Sequence, residues 1–353
     1  MLGRCWCEID LSAIRQNFEF CAKKLLKGQK IMAVVKADAY GHGGTEIAKV
    51  FQGLGCGSFA VATLQEGVNL RENGIGGEIL ILGYTPKEEI KKVFEYDLCQ
   101  SLYSTAYAEI LKECGLPIKV HIAVDTGMNR LGFGVDDGAI ADIEKYAKGF
   151  QVKGVYTHLS SADDLSCDTF TKLQIENFKR VVKSLSFNPQ SVHYANSQGF
   201  FRFNDGFANM VRLGICLYGL GEIDGVKPAL TWKSAVTSVK EISQGESVGY
   251  GRAFIAPKNM KIATLSCGYA DGYRRELSNC GKVVIDGKVV PVVGKICMDS
   301  FMVDVSDVEG VKVGDEVVLL CEKYSANDMA RALNTIDYEV VTGISQRVVR
   351  LYR

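Results

Sequence analysis

The chain has 353 residues, 47% of them hydrophobic, which is enough for a substantial core and, at roughly 150 residues per domain, for about two domains. Lysine plus arginine and aspartate plus glutamate balance at 41 each, so there is no long-range field to draw in nucleic acid or an anionic membrane surface. The expected partner is a small molecule.

The amino-terminal MLGRCWCEIDLSAI lacks a basic start followed by a long apolar run. No later stretch approaches the roughly 18 apolar residues of a membrane span. A cytoplasmic protein is the expectation. Twelve cysteines are scattered with no C-x-x-C pair, and Cys5 and Cys7 have the spacing of one strand face. They read as reduced thiols and small hydrophobes, with no metal expected.

In chain order, RCWCEIDL reads as a strand, and residues 1–7 could pair with a later domain. An amphipathic helix carrying Ile14, Phe18, Cys21 and Leu25 follows. Eight apolar runs come next, at 31–35, 59–62, 78–82, 99–102, 118–124, 151–157, 191–194 and 210–213. Helical patterns lie between them, at 64–73, 86–95, 104–114, 137–148 and 167–185 among others. In the last of these, Phe170, Leu173, Phe178, Val181, Val182 and Leu185 make one expected apolar stripe. Strand then helix, eight times, predicts an α/β fold, a (β/α)8 TIM barrel over residues 8–229. After the connector GLGEIDGVKP the runs become short and hairpin-linked, with Asp286-Gly287 as a tight-turn signal. Residues 230–353 are therefore expected to form a mostly β domain, with one helical stretch near 325–334.

Chemistry in such barrels sits at the carboxyl ends of the strands. Here those ends collect Lys36, Arg130, His158, Asn196, Ser197, Arg212 and Gly214, cations, amides and a hydroxyl suited to a phosphorylated, planar, anionic ligand. From position alone Lys36 reads equally well as a nucleophile of lowered pKa and as a lysine whose stem reaches past the rim. Taken singly, Ser197 reads as a helix cap, Tyr338 as a core aromatic and Asp299 as a turn residue.

The blocks IMAVVKADAYGHG, DTGMNRLG, YTHLSSAD, YANSQG, MVRLGICLYG, GYGRAF, GYADGY and KICMDS, in this order, resemble the alanine racemases, pyridoxal-phosphate enzymes of fold type III. The resemblance covers nearly the whole chain. It implies that Lys36 carries pyridoxal 5'-phosphate and serves as one base in the racemisation of L-alanine to D-alanine for peptidoglycan. Tyr250 of a partner subunit is the implied second base, linked to His158 and Arg212, in a homodimer whose sites are shared between subunits. Arg212 would face the pyridine nitrogen; Tyr40, Asn196, Ser197, the amides of Gly214 and Ile215, and Tyr338 would bind the cofactor. Arg130, Met298, Tyr269 and Asp299 would meet the amino-acid substrate. His42 and His193 are expected to support this set, and His121 to be structural.

Two departures stand out. Where many members carry a carbamylated lysine that braces the arginine corresponding to Arg130, this chain has Ala123, so an anion such as chloride or a nearby carboxylate is expected instead. Arg347-Val348-Val349-Arg350 replaces an R-V-P-R sequence. Alternatives within the same build are a serine or lysine racemase, a decarboxylase, which usually sets an acid against the pyridine nitrogen, and a non-catalytic single-barrel cofactor-binding protein, which lacks the β domain.

Overall fold

The computed structural model describes residues 4–353. Residues 1–3, part of the expected amino-terminal strand, lie outside the described residues. The chain forms two compact units, one of the stretch ending at Gln16 with Tyr40–His42 and Tyr218–Arg353, the other of Asn17–Ala39 and Gly43–Leu217.

In the second of these, eight parallel strands share one sheet in the order 191–193, 151–156, 119–123, 99–102, 78–81, 58–61, 30–34, 210–213. The sheet curls into a nearly closed barrel, and the amide of Arg212 donates to the Ala195 carbonyl at 2.9 Å across the seam. Every expected run is a strand, displaced by no more than one residue at either end. They are legible because a parallel strand covered on both faces tends to a near-continuous apolar run, as in Ile79-Leu80-Ile81.

Helices return the chain between strands. Thr63 and Glu66 form a reciprocal capping box at the start of Leu64–Glu72. The long helix Asp168–Ser184 departs from expectation: it buries Thr171, Gln174, Ile175, Phe178 and Val181, leaving Phe170 and Leu173 exposed. The cause is Gln174, whose amide donates to Thr126 Oγ1 and the His158 carbonyl, both at 3.2 Å, and turns a polar residue inward. Leu25, expected on the first helix, lies beyond Leu11–Ala22.

The other unit is mostly β. Strand Leu230–Ile242 pairs antiparallel with Cys5–Ile9, Met260–Leu265 and Glu316–Leu320, and a ring of strands closes through Phe301–Asp304, Lys288–Val293 and Lys282–Ile285. Asp286 and Gly287 turn the hairpin with φ of 48° and 72°, the left-handed pair that a tight hairpin requires. Val349–Tyr352 runs parallel to Cys5–Ile9. Val349 stands where R-V-P-R has proline and lies on that edge strand. Helix Ala326–Leu333 appears where expected; Asp337–Thr342 is an additional helix, its six residues too short to show a period. None of the helices described is long and apolar enough to cross a membrane.

Candidate active site

Strand Lys30–Val34 delivers Lys36 to its carboxyl end, where the backbone changes hand. Ala37, Asp38, Ala39 and Tyr40 have φ of 51°, 54°, 52° and 53°, one left-handed turn without a glycine. Such residues cost roughly 1–2 kcal/mol each, so the surroundings must impose the turn. The Ala37 amide donates to Glu66 Oε1 at 2.7 Å, and Asp38 accepts from the Gly44 amide at 2.6 Å through its side chain. Lys36 is half-buried. Burial, then the charge of Arg130, hold its amine below the ordinary lysine value; Glu66 opposes them and Arg212 adds to them.

Arg212 is buried, and both of its terminal nitrogens are held by hydrogen bonds. Nη1 donates to His193 Nδ1 at 2.7 Å and to the His193 carbonyl at 3.2 Å, while Nη2 donates to the Thr157 carbonyl at 2.7 Å and to His158 Nδ1 at 3.2 Å. Its guanidinium also lies 5.0 Å over the Tyr156 ring. Burial lowers Arg212 to about 10, still charged at neutral pH. Burial, followed by the charges of Arg212, Arg130 and Lys36, lowers His158 to about 3. His158 is therefore neutral, and since its Nδ1 accepts, its proton sits on Nε2.

Arg130 is exposed on the loop after strand Lys119–Ala123. Asp125 shapes that loop, accepting from the amides of Gly127 at 2.9 Å and Asn129 at 3.1 Å. Ala123 is buried at the strand end and offers no group to Arg130. The alternative of a nearby carboxylate is not realised: among the described residues no ion pair involves Arg130.

Asn196 caps helix Ser197–Phe203, its Oδ1 accepting from the Gly199 amide at 2.8 Å. Ser197 Oγ accepts from the Gly214 amide at 3.2 Å, and both residues are buried with Ile215. Thus Lys36, Arg130, His158 and Arg212 share one electrostatic environment, and Ser197 and Gly214 touch.

In the β unit, the Tyr40 ring lies 4.9 Å from that of Tyr218 and 6.0 Å from that of Tyr338. His42 packs on Tyr218 at 4.8 Å. Tyr250 opens a short 3-10 turn whose Gly249 and Gly251 have φ of 74° and 67°, and it is 69% exposed. Tyr269 and Met298 are 41% and 54% exposed; they are neighbours, because the Tyr269 amide donates to the Cys297 carbonyl and the Ala270 amide to that of Met298, both at 3.0 Å. Asp299 is more than a turn residue, since its carboxylate accepts from Arg347 at 2.5 Å and lies 3.8 Å from Arg4. Arg350 donates to the Gly41 carbonyl at 3.1 Å and to those of Ser345 and Val348, both at 2.6 Å.

Tyr156 and Thr157, which surround Arg212, were not singled out from the sequence. Their signal was available, because both immediately precede His158 at the same strand end. Glu78 was also missed, and nothing in GEILIL marks it.

Comparison with known proteins agrees with this arrangement. The family profile described as "Alanine racemase, N-terminal domain" matches residues 9–222, and "Alanine racemase, C-terminal domain" matches 229–352. An alanine racemase of Carboxydothermus hydrogenoformans is 42% identical, the match covering 98% of this chain and 99% of the relative. The solved alanine racemase of Clostridium difficile 630 superposes with a TM-score of 0.94 at 36% identity, covering 100% of this chain and 96% of that one. A structure described as alanine racemase from Bartonella henselae with covalently bound pyridoxal phosphate gives 0.90 at 30% identity, covering 99% and 100%. Two profiles that together span both units, and relatives matched end to end, leave one conclusion: the chain belongs to the alanine racemase family.

Proposed function

We propose that this chain interconverts L- and D-alanine with pyridoxal phosphate as a cytoplasmic homodimer, using Lys36 and Tyr250 as opposed bases, and so supplies D-alanine for peptidoglycan. The observation that carries the reading is Lys36, an amine with a depressed pKa at a strand end, near an Arg212 whose terminal nitrogens are held by hydrogen bonds. The donor set fits the cofactor. A lysine amine that loses its proton easily can bond covalently to an aldehyde carbon. Arg212 only donates, so it suits an unprotonated ring nitrogen. Ser197, the amides of Gly214 and Ile215, Tyr40 and Tyr338 would hold the phosphate, with Asn196 fixing the turn that presents Ser197.

The bound cofactor would supply a conjugated sink for the charge left at Cα. Racemisation needs a proton removed from one face and returned to the other, so two carriers must flank the carbon. Lys36 Nζ serves one face, since burial, Arg130 and Arg212 make its neutral form accessible. Tyr250 Oη serves the other. The exposure of Tyr250 on this chain supports its supply to a second copy. A free phenol has a pKa near 10 and needs help to ionise; neutral His158, with its proton on Nε2, is the donor assigned to it, and Arg212 fixes that tautomer. By denying the ring nitrogen a proton, Arg212 keeps the sink weak and favours return of the proton to Cα. Arg130 would hold the substrate carboxylate, with an anion such as chloride in place of the missing lysine; Met298, Tyr269 and Asp299 would line the approach.

A decarboxylase would set a carboxylate where Arg212 stands, so Arg212 favours the racemase. Chiral chromatography of alanine and other L-amino acids incubated with the protein tests the activity and separates alanine from serine or lysine.

A further inference from the structure

Beyond Arg212, a line of close polar contacts continues through the barrel interior. His193 Nε2 lies 2.8 Å from His121 Nδ1, and His121 Nε2 stands 3.2 Å from Glu78 Oε1. Both histidines are fully buried. The last of these contacts is a 3.2 Å charge pairing and not a hydrogen bond, and neither His121 Nε2 nor Glu78 Oε1 has a hydrogen-bond partner among the described residues. Glu78 opens strand Glu78–Ile81, so it lies at the barrel's amino end. Gly154 makes the path possible. A Cβ there would fall 2.5 Å from His121 Nδ1 and 2.6 Å from Cε1, so any side chain would push the ring away from His193.

The proton positions follow in series from one fact, that a guanidinium cannot accept a hydrogen bond. His193 Nδ1 must accept from Arg212, so the proton of neutral His193 sits on Nε2. That proton is donated to His121 Nδ1. His121 therefore carries its own proton on Nε2, the nitrogen that stands 3.2 Å from the Glu78 carboxylate. Glu78 is the carboxylate that ends the series, the counter-charge to an Arg212 that forms no ion pair of its own among the described residues.

The same geometry answers a competing idea. Glu78, Cys99 and His121 bring their ligand atoms within 4.8 Å of one another, a spacing a metal ion could use. A metal needs a bare imidazole nitrogen, and the relay leaves His121 Nε2 protonated. Cys99 argues the same way, since burial and then the charge of Glu78 push its thiol up to about 12.

We propose that Glu78 is a positioning residue for Arg212, its charge holding in place His121 and His193, whose Nε2–H tautomers Arg212 sets. Its consequence for catalysis rests on the reading that Arg212 faces the cofactor; the relay itself does not.

The test is nitrogen-15 NMR of the imidazoles in protein without cofactor, tractable because the chain has four histidines. His121→Asn and His193→Asn supply the assignments. Both rings should show a protonated Nε2 and a bare Nδ1, unchanged by added zinc. Glu78→Gln and Glu78→Leu should both keep the tautomers, which Arg212 sets, while loss of the carboxylate in Glu78→Leu should move the His121 Nε2 resonance. A proton on His121 Nδ1, a zinc-dependent shift, or an unmoved His121 Nε2 resonance in Glu78→Leu overturns the relay. In the cofactor-loaded enzyme Glu78→Leu should lower kcat roughly tenfold with KM for alanine little changed, the scale on which outer partners of a functional group act. Wild-type kcat in that variant overturns the positioning role. Should the leucine variant not fold, Glu78→Gln decides, and it must lower kcat while retaining the tautomers. Absence of alanine turnover in wild type would reject the proposed activity and leave the imidazole result standing.

Discussion

Arg212 Nη2 donates to His158 Nδ1 at 3.2 Å, so a permanent cation and an imidazole share a hydrogen bond that only a neutral imidazole can accept. With His158 lowered to about 3, its folded form stays uncharged while the unfolded chain takes up a proton near the ordinary value of 6.5. The unfolded state thus binds more protons between these values, and stability should fall as pH drops from about 6.5 toward 3. His158→Asn should flatten this part of the stability-versus-pH curve, measured by urea unfolding. An unchanged slope in the variant would contradict the neutral assignment.

Lys36 immediately precedes the left-handed turn Ala37–Tyr40. Purified protein given pyridoxal phosphate should turn yellow, and borohydride should then fix the label on one peptide, the one containing Lys36. Lys36→Ala should stay colourless and lose racemase activity altogether. Labelling of a different lysine would refute the assignment.

Tyr250→Phe removes the proton carrier on one face alone. Deprotonation of one enantiomer should fall on the order of 10²–10⁴-fold, the range for loss of a general base, and that of the other far less. Rates of Cα proton exchange in deuterated water, starting from each enantiomer, measure this; equal small losses would reject two opposed bases. Mixing Lys36→Ala with Tyr250→Phe chains should recover part of the activity if each site draws on two copies, and ultracentrifugation should show a dimer.

Among the described residues Arg130 forms no ion pair, and Ala123 cannot carry a carbamate. Activity should therefore rise when chloride replaces a bulky anion at constant ionic strength, mainly through KM for alanine. An Ala123→Lys variant should lose that dependence. Activity indifferent to the anion would contradict the proposal.

The barrel was legible because most of its strands carry apolar runs, as in Ile31–Val34, and because strand ends such as Lys36 and Arg212 break that pattern with charge. The rotation of Asp168–Ser184 was not legible, since Gln174 turns inward to satisfy Thr126 and His158, residues distant in sequence. Nor was the relay. His121 looked structural and Glu78 looked like a strand's first polar residue, and only the fold brings them to 3.2 Å. Asp337–Thr342 was missed because one and a half turns carry no measurable period. Asp299 looked like a turn residue as readily as a site residue until Arg347 and Arg4 were seen beside it.

The most direct test of the central claim starts from pure L-alanine and, separately, pure D-alanine, incubated with protein and pyridoxal phosphate and resolved by chiral chromatography. Both reactions should end at equal amounts of the two enantiomers, because mirror-image molecules have equal free energies in water, and Lys36→Ala should leave each unchanged. Persistence of either pure enantiomer with the wild-type protein, or consumption of alanine without formation of its mirror image, would contradict the account.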